Sequence, residues 1–361
     1  MFDISTCKKR NLLTQKIRDF FTKNGFLEVE TPIMTPIPGM EPHLNPFEIK
    51  LTLPSIYKTT THNQFITKNN PQKPALQKSV TKSNLPPAIT LYLNTSPELQ
   101  MKKLLGAGFG NIFNITKVFR NGEIGGDLHN PEFTMLEWYR TGATYTDLMK
   151  DCENLILSLT DKLLTYQSQT INLTPPWPRL STNQLFQKYC KIDLLKNCTF
   201  QKFKKTATEK HFDTKNCKDW DDIYFKIFLN HIEPNLPKNK PIFIYDYPST
   251  QAALARKSNK NPFFAERFEL YIAGIELANA FSELINPNEQ RKRLKEEQLL
   301  RKKLNKTVFS IDEEFLSGLA SIKKPCAGIA MGIDRLFMLL TNKKNIEEVL
   351  LFPLNKMLNN L

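Results

Sequence analysis

The most informative stretch of this 361-residue chain is His129-Asn130-Pro131-Glu132-Phe133-Thr134-Met135-Leu136-Glu137-Trp138-Tyr139-Arg140. It reads as an apolar strand that contains several ionisable side chains and follows a loop rich in glycine. Side chains of a strand alternate between its two faces. One face would carry Phe133, Met135, Glu137 and Tyr139. Because a carboxylate within a strand is costly unless it meets a cation, the pattern indicates a polar site on a strand–loop–strand hairpin.

A second predicted strand also contains polar side chains in apolar surroundings. Its sequence is Glu276-Leu277-Ala278-Asn279-Ala280-Phe281-Ser282-Glu283. Strict alternation would put Glu276 and Glu283 on opposite faces, so placing both at one site requires a bend or a bulge between them. Either carboxylate could instead belong to a structural ion pair. The chain contains no Walker loop, G-x-G-x-x-G motif or nucleophile elbow.

The remaining periodicity predicts an α+β fold with an antiparallel sheet flanked by helices. Strands are predicted at 26–30, 90–94, 111–119, 131–140, 241–247, 264–273, 275–284 and 327–331. Helices are predicted at 8–24, 97–106, from 146, 286–305 and from 332. Long strands and helices in separate blocks argue against a doubly wound sheet. Two insertions are predicted, an aperiodic basic loop at about 50–89 and a mostly helical segment at about 164–240.

The net charge of +14 lies in two blocks of the sequence. No acidic residue occurs between Ile49 and Pro97, where there are six lysines, and residues 291–306 hold eight basic residues against Glu296 and Glu297. Each block contributes +6, so the rest of the chain is nearly neutral. An ordinary solvated surface and a surface that steers an acidic partner both remain open interpretations.

Three segments resemble the ordered motifs of class II aminoacyl-tRNA synthetases. Residues 25–32 resemble motif 1, the hairpin 119–140 resembles motif 2, and residues 328–335 resemble motif 3. Within that superfamily, HNPEFTMLEWY and ELANAFSEL are most similar to the lysyl branch. The resemblance implies one catalytic domain over residues 1–361, in which ATP binds on the antiparallel sheet and is attacked at its α-phosphorus by the substrate carboxylate.

The resemblance also implies which residues bind ATP. Arg120 and Arg335 would be the catalytic residues, holding the α-phosphate and the far end of the triphosphate, since a guanidinium bonds phosphate oxygens in pairs. Phe133 resembles the residue that stacks on adenine. The other implied ATP contacts are Glu123, His129, Asn130, Glu276, Leu277 and Gly332. Glu123 is assigned this role because the family's usual glutamate position holds Gly122, and Glu276 and Glu283 resemble the carboxylates around Mg²⁺.

By the same resemblance, the substrate is lysine or a close diamino acid. Glu98 resembles the partner of the backbone amine, and Glu283 with Tyr139 resembles the pair that grips the side-chain ammonium. The remaining implied substrate contacts are Ser96, Asn279 and Ala330. A neutral analogue would leave the carboxylate unpaired at a cost of several kcal/mol, which excludes it.

The positions of the three motifs along the chain are most similar to those in the elongation factor P–lysine ligase family. Members of this family are synthetase paralogues that attach β-lysine to a lysine of that translation factor. Motif 1 begins near residue 25, which predicts that there is no anticodon-binding domain. Ser96 stands where lysyl-tRNA synthetases usually have Ala, and Ala330 where they usually have Gly. One methyl group is worth only ~1–3 kcal/mol, so it biases the choice between lysine isomers without dictating it. A truncated lysyl-tRNA synthetase, a free amino-acid ligase and a non-catalytic binding module remain alternatives.

The implied partners are elongation factor P, lysine or β-lysine, and a second copy of the chain, since motif 1 forms the dimer interface in this superfamily. A tRNA partner is not expected. No stretch approaches the ~20 apolar residues of a membrane-spanning helix, so no membrane contact is expected. The N-terminus lacks the apolar block of a signal peptide, which predicts a cytoplasmic protein.

Overall fold

A mixed β-sheet forms the centre of the protein. The computed structural model describes residues 4–52 and 88–358. The strands are β1 (Leu27–Glu28), β2 (Met34–Thr35), β3 (Glu48–Thr52), β4 (Ala88–Leu93), β5 (Ile112–Phe119), β6 (Glu132–Thr141), β7 (Leu163–Tyr166), β8 (Gln169–Asn172), β9 (Arg179–Ser181), β10 (Ile242–Pro248), β11 (Phe264–Ile272), β12 (Ile275–Ser282) and β13 (Cys326–Gly332). The helices are α1 (Ile4–Lys23), α2 (Glu98–Gly106), α3 (Tyr145–Leu159), α4 (Thr182–Leu185), α5 (Phe200–Glu209), α6 (Trp220–Ile227), α7 (Pro287–Lys303), α8 (Glu313–Ser321), α9 (Ile333–Leu340) and α10 (Leu354–Leu358).

The large sheet has the order β1-β5-β6-β13-β12-β11-β10-β9 within the described ranges. Its central neighbours are all antiparallel, which confirms the predicted α+β fold with an antiparallel sheet flanked by helices. The two edges differ from the prediction, because β1 runs parallel to β5 and β9 runs parallel to β10. The strand predicted at 26–30 is reduced to two residues.

One face of this sheet is covered by helices. The apolar side chains of β6 on that face, Leu136 and Trp138, are fully buried in a core that also contains Ile17 of α1, Leu155 of α3 and Leu336 of α9. The opposite face of β6 carries Phe133, Glu137 and Tyr139. The predicted alternation is therefore confirmed, and the polar side chains point away from the helix-covered core.

The predicted bulge in β12 is present. Leu270 of β11 pairs with Ala278, but the next residue, Tyr271, pairs with Glu276, so Leu277 is the extra residue on β12. Leu277 and Ala278 both lie in the core. The bulge thereby brings Glu276 onto the same face as Asn279, where strict alternation would have separated them.

That the two predicted segments are insertions stays a prediction. The ends of the predicted loop at about 50–89 differ from the prediction, because residues 50–52 and 88–89 belong to β3 and β4, whose ladder ends at Thr52 paired with Ala88. Residues 53–87, with most of the first basic block, lie outside the described residues. The segment 164–240 opens with the β7–β8 hairpin and β9, and its helices start only at α4. Those helices surround a second apolar core that reaches β10.

The second basic block coincides with α7 and the turn after it, and part of it is structural. Arg293 is buried and its Nη1 donates to the carbonyls of Ala252 at 2.9 Å and Ala255 at 2.7 Å. Arg301 is fully buried and donates to the carbonyl of Glu41 at 2.8 Å. These two arginines therefore tie loops to α7 and do not contribute to a basic surface. In the described part of the chain, no helix combines the length and apolar character needed to cross a membrane.

Candidate active site

A row of paired residues crosses the open face of the sheet from β6 to β11. Glu137 pairs with Ala330 of β13, Ala330 pairs with Asn279 of β12, and Asn279 pairs with Glu269 of β11. Two of the predicted substrate contacts, Asn279 and Ala330, are therefore direct neighbours. An acidic side chain stands on each side of them, and of these two Glu269 is already paired with Arg267 at 2.5 Å.

The carboxylates predicted to read the two amines meet beside α2. The Nζ atom of Lys102 lies 2.5 Å from Oε1 of Glu98 and 2.5 Å from Oε2 of Glu283, and its side chain is 0% exposed. Burial alone would lower the pKa of Lys102, but the charges of Glu283 and Glu98 raise it above its ordinary value. Lys102 therefore stays charged and holds Glu98 and Glu283 together.

Tyr139 is adjacent to Glu283, as predicted. A β-carbon added at Gly328 would overlap both the Tyr139 ring and the Glu283 carboxylate. The hydroxyl of Tyr139, however, donates to Oε1 of Glu137 at 2.6 Å. The predicted pair is thus one part of a larger set that includes Glu137.

Ser96 connects α2 to this set. Its hydroxyl donates to Oε2 of Glu137 at 2.9 Å and accepts the backbone N–H of Glu98 at 3.0 Å. An alanine here, as is usual in lysyl-tRNA synthetases, could make neither bond. Burial and the charge of Glu98 raise the pKa of Glu137, against the donors Tyr139 and Ser96. These surroundings favour the neutral form of Glu137, and an ammonium group placed beside it would favour the charged form.

The predicted phosphate-binding Arg120 lies at the end of β5. Its guanidinium carbon is 5.1 Å from the centre of the Phe133 ring, and Nη1 is 3.4 Å from Oε1 of Glu123. The loop that follows turns through Gly122, which has a φ of 95°. Three predicted ATP contacts, Arg120, Glu123 and Phe133, are therefore brought together, with Glu123 close enough to orient the arginine.

Arg335 projects from the start of α9 toward β12 and the motif 2 loop. It donates to the backbone carbonyl of Glu276 at 2.9 Å and to that of Leu128 at 3.2 Å. Its Nη2 also lies 3.0 Å from Nε2 of His129. Burial, and then the charge of Arg335, lower the pKa of His129, so the neutral ring accepts this bond. Two backbone carbonyls thus hold the guanidinium of Arg335, and the side chain stays partly exposed.

The two predicted magnesium ligands are held differently. Glu276 is 40% exposed, with Oε2 4.0 Å from Nη1 of Arg335, whereas Glu283 is buried against Lys102. Within the described ranges, no cluster of three or more His, Cys, Asp or Glu is arranged to hold a metal ion. Glu276 fits a magnesium ion whose other ligands are phosphate oxygens and water, which is the usual mode of Mg²⁺ binding. Glu283 fits this role less well, because an ammonium already occupies one of its oxygens.

Three other residues that were predicted to contact ATP already have a structural role in the fold. The side chain of Asn130 donates to the carbonyl of Glu132 at 2.6 Å and accepts the N–H of Leu354 at 3.1 Å. Leu277 is buried in the core, so a contact with ATP there would involve its backbone. Gly332 caps the N-terminus of α9. Their contacts with ATP stay predictions.

Sequence reasoning missed several residues of this site. Glu137 was placed on the correct face without a role, and Lys102 was not singled out, although its spacing of four from Glu98 put both on one side of a helix. The guanidinium of Arg267 is a third case, since it donates to Oδ1 of Asn279 at 3.1 Å and to Glu269 at 2.5 Å. Of these contacts, the pairing of Lys102 with Glu283 joins segments that are distant in the sequence.

The sheet topology and the motif 2 and motif 3 residues on its open face define a class II synthetase catalytic domain. The family described as tRNA synthetases class II (D, K and N) matches residues 4–356 of the chain. This match covers nearly all of the chain and agrees with the resemblance of its three motifs.

Curated relatives narrow the assignment. The elongation factor P–(R)-β-lysine ligase of Hamiltonella defensa is 37% identical over 355 residues, covering 98% of this chain and 96% of that protein. The ligases of the same name from Haemophilus influenzae and Buchnera aphidicola are each 36% identical, covering 98% and 96% of this chain and 96% and 95% of those proteins. The chain belongs to the elongation factor P–(R)-β-lysine ligase family.

Proposed function

We propose that the protein activates (R)-β-lysine, or lysine, with ATP and transfers it to a lysine side chain of elongation factor P in the cytoplasm. The observation that carries this proposal is the set of buried carboxylates beside two arginines. Glu98 and Glu283 pair with the ammonium of Lys102, and the carboxyl of Glu137 is held beside them by Tyr139 and Ser96. Three carboxyl groups thus stand near one protein ammonium, which leaves partners for the two ammonium groups of a diamino acid.

The chemistry that these residues support is adenylation followed by aminoacyl transfer. The substrate carboxylate oxygen forms a bond to the α-phosphorus of ATP, the bond from that phosphorus to the bridging oxygen breaks, and pyrophosphate leaves. Arg120 and Arg335 are the cations placed to neutralise phosphate charge, so catalysis rests on positioning and electrostatics. In the second step the acceptor amine, after losing a proton to solvent, forms an amide with the activated carbonyl and releases AMP.

A magnesium ion is the cofactor that we propose for the first step. When bound it would neutralise phosphate charge, with Glu276 as the protein ligand that best fits it. We further propose a homodimer. Leu27 lies in motif 1, and Leu12 lies in α1, the helix that precedes it. Both are large apolar side chains, exposed by 53% and 57%, as expected of an interface.

The first test is amino-acid-dependent exchange of pyrophosphate into ATP. The protein should catalyse exchange with (R)-β-lysine and, more weakly, with lysine, and Glu283→Gln should lose it because the amide cannot pair with a buried ammonium. Glu313→Gln is the matched control, since Glu313 pairs with Arg291 at the surface with a side chain that is 63% exposed. Absence of exchange with both amino acids would refute every adenylating function proposed for this site.

The second test identifies the acceptor. Labelled (R)-β-lysine and lysine are offered, with ATP, to purified elongation factor P and to lysine tRNA in separate reactions. We expect label on the protein, at a lysine, and none on the tRNA. Label on the tRNA alone would overturn the proposed acceptor and favour a lysyl-tRNA synthetase activity.

A further inference from the structure

Lys102 is a buried lysine for which the proposed reaction has no chemical step. It lies one helical turn after Glu98, so the two side chains share one side of α2. Its ammonium is 2.5 Å from both Glu98 Oε1 and Glu283 Oε2 and 5.9 Å from the centre of the Phe281 ring. These contacts span α2 and β12, two elements far apart in the sequence.

A structural role alone explains this arrangement poorly. Burying an ammonium costs free energy, and a buried ion pair is often no more stabilising than apolar side chains of the same volume. The adjacent residue on α2, Lys103, shows what an ordinary ion pair here is like. It is partly exposed and bonds Asp312 at 2.8 Å and Glu314 at 2.7 Å on α8. Lys102 instead points into the site.

Lys102 pairs with one of the two carboxylate oxygens of Glu283 and leaves the other without a hydrogen bond. Lys102 occupies Oε2 of Glu283, and Oε1 is buried without a hydrogen-bond partner. Gly328 lies against that oxygen and against the Tyr139 ring, where a β-carbon would not fit. One oxygen of Glu283 is therefore fixed, while the other remains available in a confined space.

We propose that Lys102 is a positioning residue for amino-acid selection, which holds Glu98 and Glu283 in place so that each can pair with an ammonium group of a diamino substrate. This inference rests on the proposed function. By pairing with one oxygen of each carboxylate, Lys102 keeps both side chains from rotating away, and each can then meet one substrate amine. Its positive charge also offsets the repulsion between the two carboxylates that it joins.

The test separates amino-acid binding from ATP binding in the exchange assay. Lys102→Met should raise KM for (R)-β-lysine or lysine by about tenfold or more and leave KM for ATP within about twofold. Lys102→Arg keeps the cation and should recover most of the lost affinity. Lys103→Met is the matched control on the same helix and should change neither constant.

Lys102→Gln is the second neutral variant, for use if Lys102→Met does not fold by circular dichroism. A KM for the amino acid that stays within about threefold of the unmodified protein in the neutral variants would overturn the proposal. Equal losses in Lys102→Met and Lys102→Arg, or equal rises in both KM values, would overturn it as well. If the unmodified protein itself shows no exchange, the proposed function fails, whereas normal exchange with unaffected Lys102 variants defeats the inference alone.

Discussion

Replacing Arg10 by methionine should destabilise the fold strongly, because Arg10 neutralises a buried aspartate. Its Nη1 lies 2.6 Å from Oδ1 of Asp334, and its Nη2 donates to Oγ1 of Thr134 at 2.9 Å. The side chain of Asp334 is 2% exposed and its Oδ2 accepts the backbone N–H of Thr134 at 2.6 Å. These bonds connect α1, β6 and the start of α9, directly beside Arg335.

The magnitude follows from the burial of the aspartate. Removing one partner of a buried ion pair typically costs ~3–5 kcal/mol, because the remaining charge is unpaired. The Arg10 side chain is 22% exposed, so water can partly replace it, and one backbone donor to Asp334 remains. We therefore expect Arg10→Met to lower the free energy of unfolding by about 2–4 kcal/mol.

Urea unfolding followed by circular dichroism, at one fixed protein concentration, measures this effect. The matched control is Arg18→Met on the same helix, since Arg18 pairs with Glu28 at 2.9 Å with side chains that are 41% and 37% exposed. Such a surface pair contributes about 0–1 kcal/mol. The double variant Arg10→Met with Asp334→Asn removes the unpaired charge and should recover about 1 kcal/mol or more.

The losses in unfolding free energy of Arg10→Met and Arg18→Met together test whether Arg10 neutralises a buried charge. A loss in Arg10→Met no larger than in Arg18→Met would refute the reasoning. A double variant less stable than Arg10→Met would show that Asp334 contributes through its other bonds and not as a charge that Arg10 neutralises.

Three further changes have defined outcomes. Burial and the charges of Glu41 and Glu98 raise the pKa of Glu297 to about 8 in the folded protein. The free energy of unfolding therefore receives its full contribution from protonated Glu297 below pH 4.5, and this contribution is lost as pH rises toward 8. Glu297→Gln should therefore stabilise the protein by about 1–3 kcal/mol at pH 8 and not at pH 4.5 in thermal unfolding, and equal effects at both pH values would contradict this. Gly328→Ala would overlap the Tyr139 ring and the Glu283 carboxylate and should raise KM for the amino acid, and an unchanged KM in the exchange assay would disprove the close contact. Arg267→Lys cannot keep the bonds to Asn279, Glu269 and the Gln251 carbonyl together and should lower kcat/KM for the amino acid about tenfold, whereas unaltered kinetics would show that the orientation of Asn279 does not matter.

The sequence was sufficient to predict those features that depend on local periodicity. The two-residue period of 131–140 predicted which side chains of β6 share a face, and the conflicting positions of Glu276 and Glu283 required a bend or a bulge, and a bulge is found at Leu277. Both predictions depend only on the alternation of side chains along one strand. The small size of β1 and the parallel pairing at the two edges of the sheet had no such local signal.

The contacts that complete the site could not be predicted, because they depend on which distant segments pair. Lys102 and Glu98 are visible as an ordinary i,i+4 pair, and such pairs are usually solvated. It is Glu283, 181 positions later in the chain, that turns the pair into a buried clamp. Likewise, Arg301 belongs to a basic block that resembled a solvated helix, and only its bond to the Glu41 carbonyl shows that it is structural.

If the proposed function holds, we predict that one cross-strand row of residues contributes to the selection of the amino acid. Asn279 and Ala330 occupy the middle of the row, between Glu137 and Glu269, so any group bound over them is flanked by carboxylates. A glycine at position 330 would leave room there, and we predict that the methyl group of Ala330 restricts how an amino acid can lie over the row. Ser96 donates a hydrogen bond to Glu137 on that same row. We therefore propose that the two positions that differ from lysyl-tRNA synthetases act on one carboxyl group and its neighbour, where a shift of an amine by one carbon would be recognised.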